Sequence, residues 1–341
     1  MREVSTIGLD LAKNVFQAHG ADASGGVVFR KQMRRGHVLE FFGRQPRCLV
    51  AMEACSGAHF WARELGKLGH EVRLIPPAYV KPFVKRQKND MADAEAICEA
   101  AQRPTMRFVA AKSEEAQGAA DVFRVRELLI RQRTQTINAL RGQLAEFGEV
   151  VPQGAANARR LIALIEAEGA ALPDTMRSVL SVLVTVLTHL EVRISELDAE
   201  ITSRARENDT ARRLMTIPGI GPLIATALAT LAPPPEMFRR GRDFAAWLGL
   251  TPRQRSTGGK QRMGATTKMG ERSLRRLLII GANAVVTWRS RNGAAPGSWL
   301  AGMIARKPTM LVRVALANKM ARIVWALMAR GGAYRAPATT V

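Results

Sequence analysis

The 341 residues suffice for two domains, or for one domain with a large helical insert, and the 47% hydrophobic content builds a substantial core, which excludes a disordered polyelectrolyte. A total of 51 Lys and Arg against 29 Asp and Glu gives a formal charge of +22 and a pI near 11.2, so the surface attracts a polyanion, with nucleic acid the leading partner and a membrane surface the rival. The N-terminus carries no signal-peptide core, apolar runs such as LLIIGANAVV are too short to span a bilayer, and Cys48, Cys55, Cys98 and the five histidines form no disulfide or zinc pattern, so a cytoplasmic chain with reduced packing cysteines is expected.

In chain order, STIGLD at 5–10, NVFQAHG at 14–20 and GGVVFRKQ at 25–32 read as three consecutive antiparallel strands. A helix near 36–44, a strand CLVAME at 48–53, a helix at 57–68 and a strand HEVRLI at 70–75 follow, and this alternation implies parallel pairing. Beyond Pro76 and Pro77 the reading is an extended basic connection, then a helix opening near Asp90. The order βββαβαβα is that of a ribonuclease H-type sheet.

Residues 114–210 read as helical, with the segment 116–147 interrupted at RQRTQT and a short helix pair or connector between Pro152 and Pro173. Leu180, Leu183, Leu187, Leu190, Ile194, Leu197 and Ile201 repeat at spacings of three and four, the periodicity of a supercoiled seam. An intrachain helical hairpin and an intermolecular coiled coil both fit that seam.

From about 211, PGIGP stands between two apolar helical segments and resembles a helix-hairpin-helix element, in which Gly219 and Gly221 let backbone N–H groups approach a phosphate. A plain αα turn looks similar. The stretch 239–276 then gathers eleven basic residues against Asp243 and Glu271, a local net of +9. From it Arg253, Arg255, Lys260, Arg262, Lys268, Arg272 and Arg275 are candidate nucleic-acid contacts, as are Lys85, Arg86 and Lys88 before the Asp90 helix.

Asp90 and Asp93 are one helical turn apart and share a face, while Asp10 and Glu53 end the first and fourth strands. Alone, each is an ordinary turn or helix-cap residue, and Asp90 reads equally as an N-cap. Together they form the carboxylate set that two Mg2+ ions require to hold a phosphodiester, with Mn2+ an alternative ion. Glu95 and Glu99 are read as solvated or structural. No GxxxxGK[ST] loop is present, so ATP hydrolysis is not indicated.

Asp10, Glu53 and KNDMADA, followed by PGIGP, GLTPRQRSTGGKQRMGATTKMGERSLRR and a terminal helix, resemble the DEDD transposases of the IS-one-ten insertion-sequence family, relatives of the Piv DNA invertase. The resemblance spans nearly the whole chain. It implies an α/β plus all-α architecture: a RuvC-like, ribonuclease H-like domain at 1–113, a helical coiled-coil oligomerisation region at 114–210, and a mainly helical transposase domain at 211–335. It also implies DNA recombination through a serine nucleophile, assisted by Mg2+ at Asp10, Glu53, Asp90 and Asp93. Donor and target DNA would be chosen by a structured non-coding bridge RNA.

The family's Ser-Ser/Thr-Gly-Gly pattern matches Ser256, Thr257, Gly258 and Gly259. Ser256 is preferred to Thr257 as nucleophile because its hydroxyl is less hindered, and the surrounding cations suit charge on a five-coordinate phosphorus. A phosphoserine conserves bond energy for religation without ATP, and exchanging several strands calls for a homo-oligomer, dimer or tetramer, acting on nucleoid DNA. Two rivals predict different behaviour: a RuvC-like nuclease or Holliday-junction resolvase that activates water, and a non-catalytic nucleic-acid-binding protein.

Overall fold

Alternating apolar residues at the start of the chain form β1 (Thr6–Asp10), β2 (Val15–Ala21) and β3 (Val27–Arg34), paired antiparallel in sequence order. The computed structural model describes residues 3–85, 89–167 and 172–336, so two of the candidate phosphate contacts, Arg86 and Lys88, lie outside the described residues. The chain divides into two compact units, Met1–Gln117 and Gly118–Val341.

In the first unit, α1 (Val38–Gly43), β4 (Leu49–Glu53), α2 (Ala58–Lys67) and β5 (Glu71–Ile75) follow the three strands. The five-stranded sheet has the order β3-β2-β1-β4-β5, with β4 parallel to both β1 and β5. Period-two geometry sends Ile7, Leu9, Val50 and Met52 to one face, where they pack with Phe42 of α1 and with Trp61 and Leu65 of α2. The connection after β5 is not extended as the sequence suggested. Pro77 and its fixed φ open a short helix, α3 (Pro77–Val80), followed by a 3-10 turn at Lys81–Phe83. Then α4 (Asp90–Ala101) covers the other face, joining Ala96, Ile97 and Ala100 to Ala51 and Ile75.

Gly8 sets how closely that helix approaches. A Cβ at Gly8 would lie 2.2 Å from the Ala94 carbonyl oxygen and 2.5 Å from the Cys98 nitrogen, so α4 rests backbone to backbone on β1. Gly8 and Asp10 point to the same side of β1, and so do Ala51 and Glu53 on β4. The two carboxylates therefore emerge beneath the first turn of α4.

Helix α5 (Glu114–Ala145) runs without the expected break at RQRTQT. The hydroxyls of Thr134 and Thr136 donate to the carbonyls of Ile130 (2.9 Å) and Gln132 (3.0 Å), so these residues fit inside a continuous helix. After α6 (Ala158–Glu166) comes α7 (Asp174–Glu207), whose Leu180, Val184 and Leu187 pack with Leu140 and Leu144 of α5 and Leu161 and Ile165 of α6. The seam read from the sequence divides. Leu180, Leu187, Ile194 and Ile201 are buried within the chain, whereas Leu183, Leu190 and Leu197 stay half-buried and Val179, Val182 and Val186 are exposed. By length and composition α7 is also sufficient to cross a membrane, with an 18-residue window of mean hydropathy 1.4, which revises the expectation that no segment reaches that length.

The second unit continues with α8 (Asp209–Leu214), α9 (Pro222–Leu231), α10 (Gly241–Trp247), a hairpin of β6 (Pro252–Gln254) and β7 (Met263–Thr266), α11 (Arg272–Asn292), α12 (Trp299–Arg306) and α13 (Thr309–Arg330). Leu214, Ile220, Leu228, Phe244, Leu278 and Val324 are among the residues of its core. The hairpin was not anticipated, since the sequence there reads as a polar, glycine-rich loop.

Candidate metal and nucleic-acid site

Because β1 and β4 are parallel and Leu9 pairs with Met52, the next residues, Asp10 and Glu53, end adjacent strands at the same level. Asn89 caps α4, its side-chain oxygen accepting from the Ala92 N–H at 2.8 Å. Asp90 is thus not the cap. It is the first helical residue, and with Asp93 it occupies the turn where the helix dipole favours anions. One carboxylate oxygen from each of Asp10, Asp90 and Asp93 lies within 4.8 Å of the other two.

Such crowding has an electrostatic cost. Burial, then the carboxylates of Asp93, Asp90 and Glu53, raise the Asp10 carboxyl to about 6, against a smaller opposing effect of the Leu11 N–H. Among the described residues no Lys or Arg pairs with Asp10, Asp90 or Asp93. Two described cations pair with Glu95 instead: Glu95 accepts from Lys85 at 2.5 Å and from Arg30 at 3.1 Å, which gives Glu95 a structural role and engages Lys85. A group of hard oxygen donors that repel one another and, among the described residues, have no paired Lys or Arg fits a hard divalent cation. Cys48 and Cys98 are buried packing residues as expected, but Cys55, two positions past Glu53, is exposed.

In the second unit, Ser256 lies near the tip of the β6/β7 hairpin. Thr257 and Lys260 exchange backbone hydrogen bonds of 3.3 and 3.0 Å across Gly258 (φ +55°) and Gly259 (φ +76°), a two-residue turn in which both central residues need positive φ. Gly-Gly between short polar runs was the available signal for this hairpin. Ser256, Thr257, Arg253, Arg255, Lys260 and Arg262 are all exposed, so the hairpin is a cationic finger bearing two hydroxyls. Lys268 and Arg272 are exposed at its base.

Two expected contacts are corrected. Arg275 is buried, and its guanidinium donates to the carbonyls of Leu248 at 2.9 Å and Met269 at 3.0 Å, so it ties α11 to the loops flanking the hairpin and is withdrawn from any phosphate. Gly219 packs its Cα against α11, where a Cβ would stand 2.6 Å from the Gly281 carbonyl oxygen, so its smallness serves helix packing. Gly221, at the N-cap of α9, faces open space.

An acidic cluster at the strand ends of a mixed sheet, followed in the chain by a strongly cationic helical unit, defines a protein built to handle a phosphodiester polyanion. Comparison with known proteins makes the class specific. Residues 7–148 match the IS110-type DEDD transposase family, and residues 211–295 match the Transposase IS116/IS110/IS902 family. The chain is 50% identical over 334 residues to a probable family 20 transposase of Pseudomonas aeruginosa, covering 97% of this chain and 99% of that protein. It is 44% identical over 339 residues to a putative transposase, y4pF/y4sB, of Sinorhizobium fredii, covering 98% and 87%. It is 40% identical over 331 residues to the transposase for insertion sequence element IS1328 of Yersinia enterocolitica, covering 97% and 98%. The chain belongs to the IS110 family of DEDD transposases, enzymes that cut and rejoin DNA.

Proposed function

We propose that this transposase recombines DNA through a phosphoserine on Ser256, with Mg2+ held by Asp10, Glu53, Asp90 and Asp93 in a RuvC-like domain. The observation that carries the reading is the convergence of Asp10, Asp90 and Asp93 within 4.8 Å, with Glu53 on the neighbouring strand end. The four carboxylates would hold the metal, most simply as a pair of ions. When bound, Mg2+ neutralises them and draws electron density from a phosphodiester oxygen.

The chain's own groups supply the rest. Ser256 Oγ gives up its proton and forms a bond to phosphorus as one bridging P–O bond breaks, and the departing oxygen takes up a proton, leaving a hydroxyl on the DNA end. Arg253, Arg255, Lys260 and Arg262 stabilise the negative charge that develops on the phosphorane. Rejoining reverses the step: a strand-end hydroxyl attacks the phosphoserine and Ser256 leaves. Exposed Lys268 and Arg272, together with Arg86, Lys88 and Lys85 exchanged from Glu95, bind donor and target backbones, and Gly221 presents the α9 N-terminus to a phosphate.

On this reading 1–113 is the ribonuclease H-like domain, 114–210 the oligomerisation region and 211–335 the domain bearing the nucleophile. The exposed valines of α7 and the half-buried leucines of its seam form the contact between copies in a dimer or tetramer. A structured bridge RNA pairs with donor and target in the cytoplasm. The test is to incubate protein, candidate RNA and supercoiled donor DNA with Mg2+ and isolate protein covalently joined to a DNA end. Mass spectrometry should place the adduct on Ser256. Cleavage without an adduct, retained in Ser256→Ala, would instead favour a resolvase that activates water.

A further inference from the structure

A cleft of about 1610 Å³ in the second unit takes no part in the chemistry above. It lies among α10, α12, α13 and the base of the β6/β7 hairpin, where Pro252 and Gly264 to Thr266 form one wall. The floor is apolar, with Leu250, Val314 and Ile323. Around it stand Arg240, Arg242, Lys319, Arg322 and Arg330, and no carboxylate lines it. This is not local accident: residues 272–341 contain twelve Lys and Arg and no Asp or Glu.

Large apolar side chains here face solvent. Trp299 is 41% exposed, Met310 58% and Leu311 52%, and all three line the cleft. The Lys319 ammonium lies 4.6 Å from the Trp299 ring centroid. Trp299 also borders a second cavity, of about 390 Å³, so its ring stands between two open spaces.

The volume exceeds the roughly 300–1,000 Å³ of small-molecule sites, which favours a polymer. A purely acidic protein segment would match the charge but not the exposed Trp299, Met310 and Leu311. A DNA or RNA duplex would satisfy the cations but keeps its base faces stacked inside. Unpaired nucleotides satisfy both, because their base faces need apolar and aromatic surface while their phosphates need cations. We propose that this cleft holds the unpaired bases of a single-stranded nucleic-acid segment, with Trp299 as the stacking platform and Lys319 and Arg322 on the adjoining phosphates. The assignment rests on the transposase reading and adds to it a site for melted strand at the foot of the hairpin that carries Ser256.

The test uses the full-length protein and a fluorescein-labelled oligothymidylate, with a duplex of equal length as control, followed by anisotropy across a salt series. Trp299→Ala should weaken oligothymidylate binding by roughly 5- to 150-fold, the range for loss of one stacked base, with an unchanged salt slope and unchanged duplex affinity. Leu311→Ser, a neutral change at an exposed position that leaves Trp299 in place, should also weaken oligothymidylate binding selectively. The proposal is overturned if both variants bind oligothymidylate like the wild type, or if single-strand and duplex affinities fall equally. Wild-type protein that binds duplex and forms the Ser256 adduct but ignores oligothymidylate would remove the cleft assignment alone. Trp299-dependent oligothymidylate binding without any adduct would remove the phosphoserine reading alone.

Discussion

Replacing Asp10 by Asn should make the metal-free protein more stable while abolishing its DNA cleavage. The Asp10 carboxyl is raised from an ordinary 3.8 to about 6, chiefly by burial and then by Asp93, Asp90 and Glu53. At about 1.4 kcal/mol per pKa unit the full shift corresponds to about 3 kcal/mol, and partial solvent exposure reduces this to about 1–2 kcal/mol. The folded chain binds this proton more tightly than the unfolded one. The destabilisation is therefore complete above pH 6, declines as pH falls between 6 and 3.8, and is absent below that range. Asparagine keeps an oxygen for the Leu11 N–H and removes the charge. Urea unfolding in EDTA should show Asp10→Asn more stable than wild type by about 1–2 kcal/mol at pH 7.5, with the advantage lost at pH 3.5. Saturating Mg2+ should then stabilise the wild type by about 2.7 kcal/mol at a hundredfold excess over its dissociation constant, and the variant much less. A variant equal to or weaker than wild type at pH 7.5, or an advantage that does not change with pH, would refute the crowded-carboxylate argument.

Other perturbations separate the remaining roles. Gly8→Ala should push α4 off β1, lowering stability by about 1–3 kcal/mol and cleavage more than proportionately, as read by denaturation and plasmid nicking. Ser256→Ala should lose the covalent adduct while keeping duplex binding and stabilisation by Mg2+, and Thr257→Ala should keep the adduct. Arg275→Met should cost about 1–3 kcal/mol by stranding the Leu248 and Met269 carbonyls and leave the salt dependence of DNA binding unchanged. Arg255→Gln should leave stability intact and reduce that salt slope by about 1.

Much of the candidate site was legible along the chain. Alternating apolar residues gave β1 to β5, and the ribonuclease H-type order put β1 beside β4, which sets Asp10 next to Glu53. The spacing of Asp90 and Asp93 placed both on one helical face. These features follow from local periodicity and short-range connection rules, which a sequence carries explicitly. Gly8 was not read as the residue that sets helix height, nor Asn89 as the cap, because each matters only through what packs above it. The cationic stretch at 239–276 illustrates the same limit. Arg255 and Arg275 are alike in sequence, yet one projects from a hairpin and the other is buried against two carbonyls.

The amino-acid order by itself determined the five strands of the first unit, the places of Asp10, Glu53, Asp90 and Asp93 on their elements and the positive charge, since periodicity, residue chemistry and net charge need no knowledge of distant neighbours. Tertiary structure alone decided which cations face solvent, how the α7 seam divides between buried and exposed rows, and that α10, α12, α13 and the hairpin enclose an apolar cleft ringed by arginine and lysine. Burial and enclosure depend on contacts between residues far apart in the chain, and no local pattern specifies them.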